Sequence, residues 1–114
     1  MADGYFVTPA QAAQVEMREG VYRRTMATTD ELMICEFFLV SGAVVETHSH
    51  PNDQTGYIVF GELEITIGAQ TQVCHPGDSY AVPGGIPHSA RSLRDTVTID
   101  VFSPPRSDYL TEAR

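Results

Sequence analysis

The chain has no lysine and no tryptophan, and it has only two cysteines among 114 residues. Without lysine, neither Schiff-base chemistry nor phosphate binding through a P-loop lysine is available. Seven arginines stand against fifteen acidic residues, so the formal net charge is −8, and no basic run offsets it. Such a chain repels the phosphate backbone, and we therefore expect no nucleic-acid partner.

Long apolar segments are also missing from the sequence. No stretch approaches the ~20 apolar residues that cross a bilayer, and the N-terminus lacks the basic and apolar regions of a signal peptide. We therefore expect a cytoplasmic protein without membrane contact. Cys35 and Cys74 lack C-x-x-C spacing and lie in apolar, strand-like surroundings. This context predicts buried free thiols rather than a disulfide or a thiolate metal site.

The length suits a single domain, 1–114, and the composition is globular, with 42% hydrophobic and 19% charged residues. Residues 8–15 combine an N-cap threonine, a following proline and good helix formers, which predicts one short N-terminal helix. From Gly20 onward, short apolar or alternating runs recur about every eight to twelve residues, as in an antiparallel sandwich or barrel. The predicted strands are 21–27, 31–40, 44–47, 54–60, 62–67, 70–74, 79–82, 88–91 and 96–102.

One predicted strand indicates how the chain associates. Residues 32–40, Leu-Met-Ile-Cys-Glu-Phe-Phe-Leu-Val, are apolar on both alternating faces except at Glu36. In a single small barrel one strand face normally meets water, so a strand apolar on both faces needs a second cover. A second subunit or the folded-over N-terminal segment can supply it. We predict a homodimer that packs through this segment.

The histidines suggest a metal site. His48 and His50 end an extended run, and the period of two places both imidazoles on one strand face. A tight turn can then bring the Gln54 amide oxygen close, and His88 can face the same cavity from a neighbouring strand. Three neutral imidazoles and an oxygen donor form an open site for a divalent metal, although paired strand histidines also occur as ordinary surface residues. His75 lies in a turn and is expected at the surface.

The spacing around these histidines resembles the two motifs of the cupin superfamily. The first, G-x5-H-x-H-x3,4-E-x6-G, is matched by Gly42, His48, His50, Gln54 and Gly61. The second, G-x5-P-x-G-x2-H-x3-N, is matched by Gly77, Pro83, Gly85 and His88. Gln54 replaces the glutamate of the first motif, and Ser92 replaces the asparagine of the second. Together the motifs cover 42–92, and the resemblance implies an all-β, single-domain jelly-roll β-barrel.

Glutamine in place of glutamate removes a negative charge from the ligand set. A bound divalent ion then keeps its full +2 charge and polarises a bound oxygen more strongly. Three histidines and a glutamine suit nickel, zinc, manganese or iron, and the sequence does not choose among these metals. The neutral ligand set counts against iron-dependent oxygen chemistry.

The last predicted strand, 96–102, alternates three aliphatic residues with a mixed face that includes Asp100 and Phe102. The ordinary pattern puts the aliphatic residues in the core and Asp100 in water. In a cupin barrel, however, the mixed face can line the metal cavity while the aliphatic face packs against a second layer. Arg106 follows two prolines that can direct its guanidinium over the cavity mouth, where this planar fork suits a carboxylate.

The C-terminal segment 100–110 resembles the tail of small cupins of the pectin-degradation (KdgF-type) group, as do residues 48–54 and the hairpin 61–68. In that group glutamine replaces glutamate as a metal ligand. The resemblance implies conversion of 4,5-unsaturated uronate monomers to linear keto acids, an isomerase-type reaction without a redox cofactor. It also implies metal ligands and further active-site residues in this chain, namely His48, His50, Gln54 and His88, with Asp100, Phe102 and Arg106.

Two other functions remain open from the sequence. An iron-dependent cupin dioxygenase would use the same histidines and consume oxygen. A non-catalytic sugar- or metabolite-binding cupin would use Arg106 only to recognise an acid. The favoured partner is a small acidic sugar.

Overall fold

The computed structural model describes residues 4–111, in which two antiparallel sheets face each other. The strands are β1 (Gln14–Arg18), β2 (Val21–Thr28), β3 (Met33–Leu39), β4 (Val44–His48), β5 (Asp53–Phe60), β6 (Leu63–Ile67), β7 (Gln70–Cys74), β8 (Ser79–Val82), β9 (His88–Ser92) and β10 (Thr96–Ser103). One sheet has the order β1-β2-β3-β10-β5-β8, and the other has the order β4-β9-β6-β7. The predicted all-β architecture is confirmed.

The predicted N-terminal helix is wrong. Thr8 and Pro9 do start a helical turn, but it is a 3₁₀ turn of three residues, Pro9–Gln11. The chain then extends into β1, which pairs with β2 at the edge of the six-stranded sheet. Pairing with a neighbouring strand thus overrides the helix propensity of alanine and glutamine. The α-helix of the described residues lies at the other end of the chain, as α1 (Ser107–Thr111).

All nine predicted strands are present, and their boundaries agree within two residues. Turn chemistry explains this accuracy, as Gly61 between β5 and β6 shows. Gly61 has a φ of +98°, and a Cβ there would overlap the backbone of Asp95 and Thr96. Within residues 4–111, no helix has the length and apolar character to cross a membrane.

The interior between the sheets has an apolar part and a polar part. The apolar part draws buried side chains from both sheets, namely Val21, Leu39, Ala43, Ile58, Leu63, Ile65 and Cys74. Cys35 and Cys74 are buried free thiols, as expected. In the polar part, β10 buries Thr98 and Asp100 almost completely. Buried polar groups need partners, so this polar part is the place to look for a functional site.

Candidate metal centre

Three of the predicted ligands meet at the end of the four-stranded sheet. His48 closes β4 and is in register with His88, which opens β9, while His50 lies two residues beyond β4 rather than on it. The ring centroids of His48 and His88 are 4.3 Å apart, and those of His50 and His88 are 4.9 Å apart. One ligand nitrogen of each histidine lies within 4.8 Å of the others. The structure therefore brings these three imidazoles together.

Backbone carbonyls orient all three rings in the same way. The Nδ1 atoms of His48, His50 and His88 lie 2.9, 3.1 and 2.8 Å from the carbonyl oxygens of Glu46, Asn52 and Ile86. A carbonyl oxygen only accepts, so each Nδ1 carries the proton and donates it. Each Nε2 then keeps a lone pair for a metal, and a hydrogen bond from the other ring nitrogen is the usual support of a metal-binding histidine.

The surroundings favour the neutral form of His48 and His50. Desolvation by burial lowers the pKa of both His48 and His50, and nearby His88 and Arg106 lower each pKa further. The Nε2 of His88 is buried and has no hydrogen-bond partner among the described residues. A bound metal ion would accept this lone pair. It would give the buried nitrogen of His88 the partner that the described residues do not provide, so the site fits a cation.

Gln54 reaches the histidines from β5 of the other sheet. Its Oε1 lies 3.1 Å from His50 Nε2, and its Nε2 donates to Asp100 Oδ2 over 2.8 Å. Since His50 Nδ1 holds the proton, Oε1 and His50 Nε2 are both acceptors and attract each other only through a cation. Two donor atoms at this separation suit neighbouring ligands of one divalent ion, whose bonds are roughly 2.1 Å long. The four residues thus fit a divalent metal.

Asp100 and Phe102 both point inward from β10, and each is 1% exposed. Asp100 Oδ1 accepts a hydrogen bond from Thr98 over 2.6 Å, and Oδ2 accepts bonds from Gln54 and Tyr80 over 2.8 Å each. Burial raises the pKa of Asp100, and these hydrogen bonds act against that rise. The mixed face of β10 is therefore the inner face, as the barrel interpretation of the sequence predicts.

Arg106 lies between β10 and α1 and lines the same cavity as Asp100. Its guanidinium carbon is 4.2 Å from the centre of the Tyr109 ring and 5.7 Å from that of Phe102. One of its nitrogens donates to Asp108 over 3.3 Å, and the Arg106 side chain is only 17% exposed. Stacking on aromatic faces thus directs the cation toward the cavity.

The fourth histidine, His75, is separate from this group. It lies in the turn between β7 and β8 with 58% of its side chain exposed, 3.2 Å from the Glu62 carboxylate. Its expected surface position is confirmed.

The cavity has a volume of about 90 Å³ and also contains residues that sequence reasoning missed. Met17 and Arg18 reach it from β1, the strand that the helix prediction concealed. Tyr109 reaches it from α1, and Tyr80 reaches it from β8. Among the hydrogen-bond partners of Asp100 outside the two motifs, only Thr98 could be inferred from the sequence, because alternation along β10 places it on the same strand face as Asp100. Tyr80 belongs to neither motif, so nothing in the sequence marked it.

The fold and the site together define a small two-sheet barrel with a histidine-lined cavity. A model of the cupin domain family matches residues 36–102, and the chain belongs to this family.

Individual relatives show which members of this family the chain resembles. The pectin degradation protein KdgF of Dickeya dadantii is 32% identical over 97 residues, which are 83% of this chain and 88% of that protein. The solved structure of KdgF from Halomonas sp. shares 33% identity at a TM-score of 0.86, covering 92% of this chain and 97% of that one. An RmlC-like cupin from Shewanella frigidimarina shares 29% identity at a TM-score of 0.88, covering 94% and 96% of the two chains.

Proposed function

We propose that this cupin converts 4,5-unsaturated uronate monomers to linear keto acids with the help of one divalent transition metal. The observation that carries the proposal is a single cavity that combines His48, Gln54 and His88, which could ligate a metal, with Asp100 and Arg106. Similarity to a pectin degradation protein over most of both chains supports the substrate class.

His48, His50, Gln54 and His88 would hold the metal, with nickel, zinc, manganese and iron as candidates. When bound, the metal supplies Lewis-acid polarisation of a substrate oxygen. The ligand set adds no negative charge that would weaken this effect.

Arg106 binds and orients the substrate. Its guanidinium can take the uronate carboxylate through two parallel hydrogen bonds, which fixes the sugar ring relative to Asp100. With a net charge of −8, the chain does not attract an anion over long range, so recognition depends on this local cation. Phe102 forms a wall of the cavity and excludes water beside the reacting ring.

Asp100 moves the proton. Its Oδ1 accepts a single hydrogen bond, from Thr98, and keeps a second acceptor position. In our scheme Asp100 takes the proton of the anomeric hydroxyl as the bond between C1 and the ring oxygen breaks, which leaves an aldehyde and an enolate. Asp100 then gives the same proton to C4, and the enolate becomes a ketone. Substrate and product are isomers, so no redox cofactor is needed.

The proposal is tested by following the ultraviolet absorbance of a 4,5-unsaturated monouronate with metal-loaded protein. We expect the absorbance to decay faster than in buffer alone, at the same rate with and without oxygen. A decay equal to the spontaneous rate would contradict the proposed activity. A decay that requires oxygen would favour the dioxygenase, and saturable binding without turnover would favour the sugar-binding cupin.

We also propose that the chain forms a homodimer through the outer face of the six-stranded sheet. On this face Tyr22 and Phe38 pack together, with ring centroids 6.2 Å apart, and Tyr57 is 50% exposed. Ile99 is in register with Tyr57 on β5 and with Glu36 on β3, and Glu36 forms an ion pair with Arg24 on this same face. Partly exposed aromatic and aliphatic side chains around an ion pair suit an interface, and a second copy offers the same surface by two-fold symmetry. Sedimentation at micromolar concentration should give the mass of a dimer.

A further inference from the structure

Tyr80, on β8, belongs to neither cupin motif, yet its hydroxyl reaches the most buried carboxylate of the cavity. Tyr80 Oη donates to Asp100 Oδ2 over 2.8 Å, and the Gln54 amide nitrogen donates to that same oxygen over 2.8 Å. Thr98 donates to the other carboxylate oxygen. Asp100 is therefore held by donors on three strands, β5, β8 and β10.

The arrangement fixes which end of the Gln54 amide faces the histidines. A carboxylate accepts hydrogen bonds and does not donate them, so the group that faces Asp100 must be the amide NH₂. The amide oxygen is then directed to His50, where it lies 3.1 Å from Nε2. A rotation of the amide by half a turn would put its oxygen against the carboxylate and its NH₂ against the metal position. Asp100 therefore selects the ligating orientation of Gln54.

The same contact explains why glutamine stands where the cupin motif has glutamate. A glutamate at position 54 would place a second carboxylate beside Asp100 Oδ2, and like charges at hydrogen-bond distance repel strongly. Glutamine avoids this repulsion and still offers an oxygen to the metal. Gln54 and Asp100 thus form a matched pair, in which each residue type depends on the other.

Gly56 makes the reach of Tyr80 geometrically possible. Tyr80, Gly56 and Asp100 stand in one cross-strand row, because Gly56 is in register with Tyr80 on one side and with Asp100 on the other. Two strand spacings separate the outer members, roughly 10 Å, which a tyrosine and an aspartate span together only by crossing over β5. A Cβ on Gly56 would overlap the Tyr80 ring. The missing side chain leaves the passage that the ring occupies.

We propose that Tyr80 is a positioning residue that, through Asp100, holds the Gln54 amide with its oxygen toward the metal. This inference rests on the metal site of the proposed function but not on the uronate reaction. Burial and the nearby Asp100 carboxylate raise the pKa of Tyr80 well above its usual range, so the hydroxyl keeps its proton and remains a donor. Removing the donor loosens Asp100, and with it the orientation of the amide.

The test measures metal binding directly, with Co²⁺ as the probe and a chromogenic chelator as competitor. We expect Tyr80→Phe to weaken Co²⁺ binding about 10-fold, within the 10- to 100-fold range usual for residues that support metal ligands. The visible Co²⁺ spectrum should also change, because the oxygen ligand is no longer fixed. Tyr5→Phe removes a hydroxyl from an exposed tyrosine and serves as the matched control. Equal melting temperatures for the variants would separate this effect from unfolding.

A double-mutant cycle tests the matched pair independently of Tyr80. In the protein with its native Gln54, Asp100→Asn should change Co²⁺ affinity less than about threefold, since the asparagine oxygen still accepts the hydrogen bond from the glutamine NH₂. In the Gln54→Glu background, Asp100→Asn should raise the affinity about 10-fold or more, because the asparagine NH₂ can then donate to the glutamate. Such non-additivity is the signature of a direct contact.

Three results overturn the proposal, and they are distinguishable. Unchanged Co²⁺ affinity and spectrum in Tyr80→Phe would show that Tyr80 does not position the ligand. Additive effects in the cycle would show that Asp100 does not select the amide orientation. A wild-type protein that bound no Co²⁺ would refute the metal centre itself. A protein that failed only the uronate assay would leave this inference standing.

Discussion

On β10 the two faces of the six-stranded sheet differ in the opposite sense from those of an ordinary barrel strand. Along β10 the inner face buries Thr96, Thr98 and Asp100 almost completely, while the outer face presents partly exposed Ile99 and Val101. In most small sheets the aliphatic residues face inward and the polar residues meet water. On β10 the polar face is inside, where it lines the cavity with the histidines, and the aliphatic face is outside, where the proposed dimer would cover it.

The inner face tolerates its polar residues because each has a defined neighbour. Burying a lone carboxylate costs several kcal/mol, so Asp100 is stable there only with its three donors. Ile99 and Val101 have no such requirement, since an aliphatic side chain needs no hydrogen-bond partner and would gain free energy if a second copy covered it. Hydrogen-bond partners therefore specify the inner face of β10 residue by residue, whereas its outer aliphatic positions require only hydrophobic side chains.

The largest effect is expected from Asp100→Asn on the inner face. Asparagine can keep the hydrogen bonds to Gln54 and Thr98, but it cannot accept the substrate proton. Proton transfer by a positioned side chain contributes ~10²- to 10⁴-fold, so turnover of the unsaturated uronate should fall by about this factor. Co²⁺ affinity should stay within about threefold of wild type.

The matched control is Asp30→Asn, which changes an exposed loop aspartate by the same atoms and should leave turnover intact. Full activity in Asp100→Asn would end the catalytic role of this residue, and the inner face would then be polar for metal positioning alone.

The strands and the motif residues could be predicted from sequence because local rules determine them. Turn residues separated the nine predicted strands, and the three histidines that the motif spacing selected, His48, His50 and His88, lie close together in the structure. The inner position of Asp100 was decided only by the family resemblance, since alternation alone favoured the opposite face. Periodicity shows that two faces differ, but it does not show which face is inside.

Two features could not be predicted, because they depend on contacts between distant residues. The edge strand β1 was concealed by good helix formers, and its pairing with β2 outweighs their propensity. Tyr80 acquires its role from a cross-strand row with Gly56 and Asp100, whose members lie 20 or more residues apart on β8, β5 and β10. No local pattern encodes such a row.

A smaller effect, on stability, is expected from Gly56→Ala. The added methyl group would overlap the Tyr80 ring and force the ring or β5 to move. Overpacking of this kind costs typically 1–3 kcal/mol, so we expect the free energy of unfolding in urea to fall by about that amount. Gly4→Ala, where a methyl group meets open space, is the control and should be neutral. An unchanged stability would show that the inner face has room to spare beside Tyr80.

The outer face is tested by Ile99→Glu, which places a second carboxylate beside Glu36 in the proposed interface. A buried, unpaired carboxylate disfavours association, so sedimentation should show a monomer at concentrations where wild type is a dimer. Co²⁺ affinity should be retained, because Ile99 faces away from the histidines. Gln72→Glu adds a charge at an exposed position on the four-stranded sheet and should leave the mass unchanged. A dimer that persisted in Ile99→Glu would place the interface elsewhere.

The smallest effect concerns the reactivity of a thiol on the inner face. Burial raises the pKa of Cys35 to about 11, so only roughly one thiol in a thousand is ionised at pH 8. With Cys74→Ala removing the other thiol, we expect Cys35 to react with a disulfide reagent at least 100-fold faster in guanidinium than in the native protein. Because the thiolate is the reactive form, the native rate should rise with pH toward 11. Rapid labelling of native Cys35 at pH 8 would show that the inner face opens to solvent. The inner and outer faces would then differ in residue type but not in solvent accessibility.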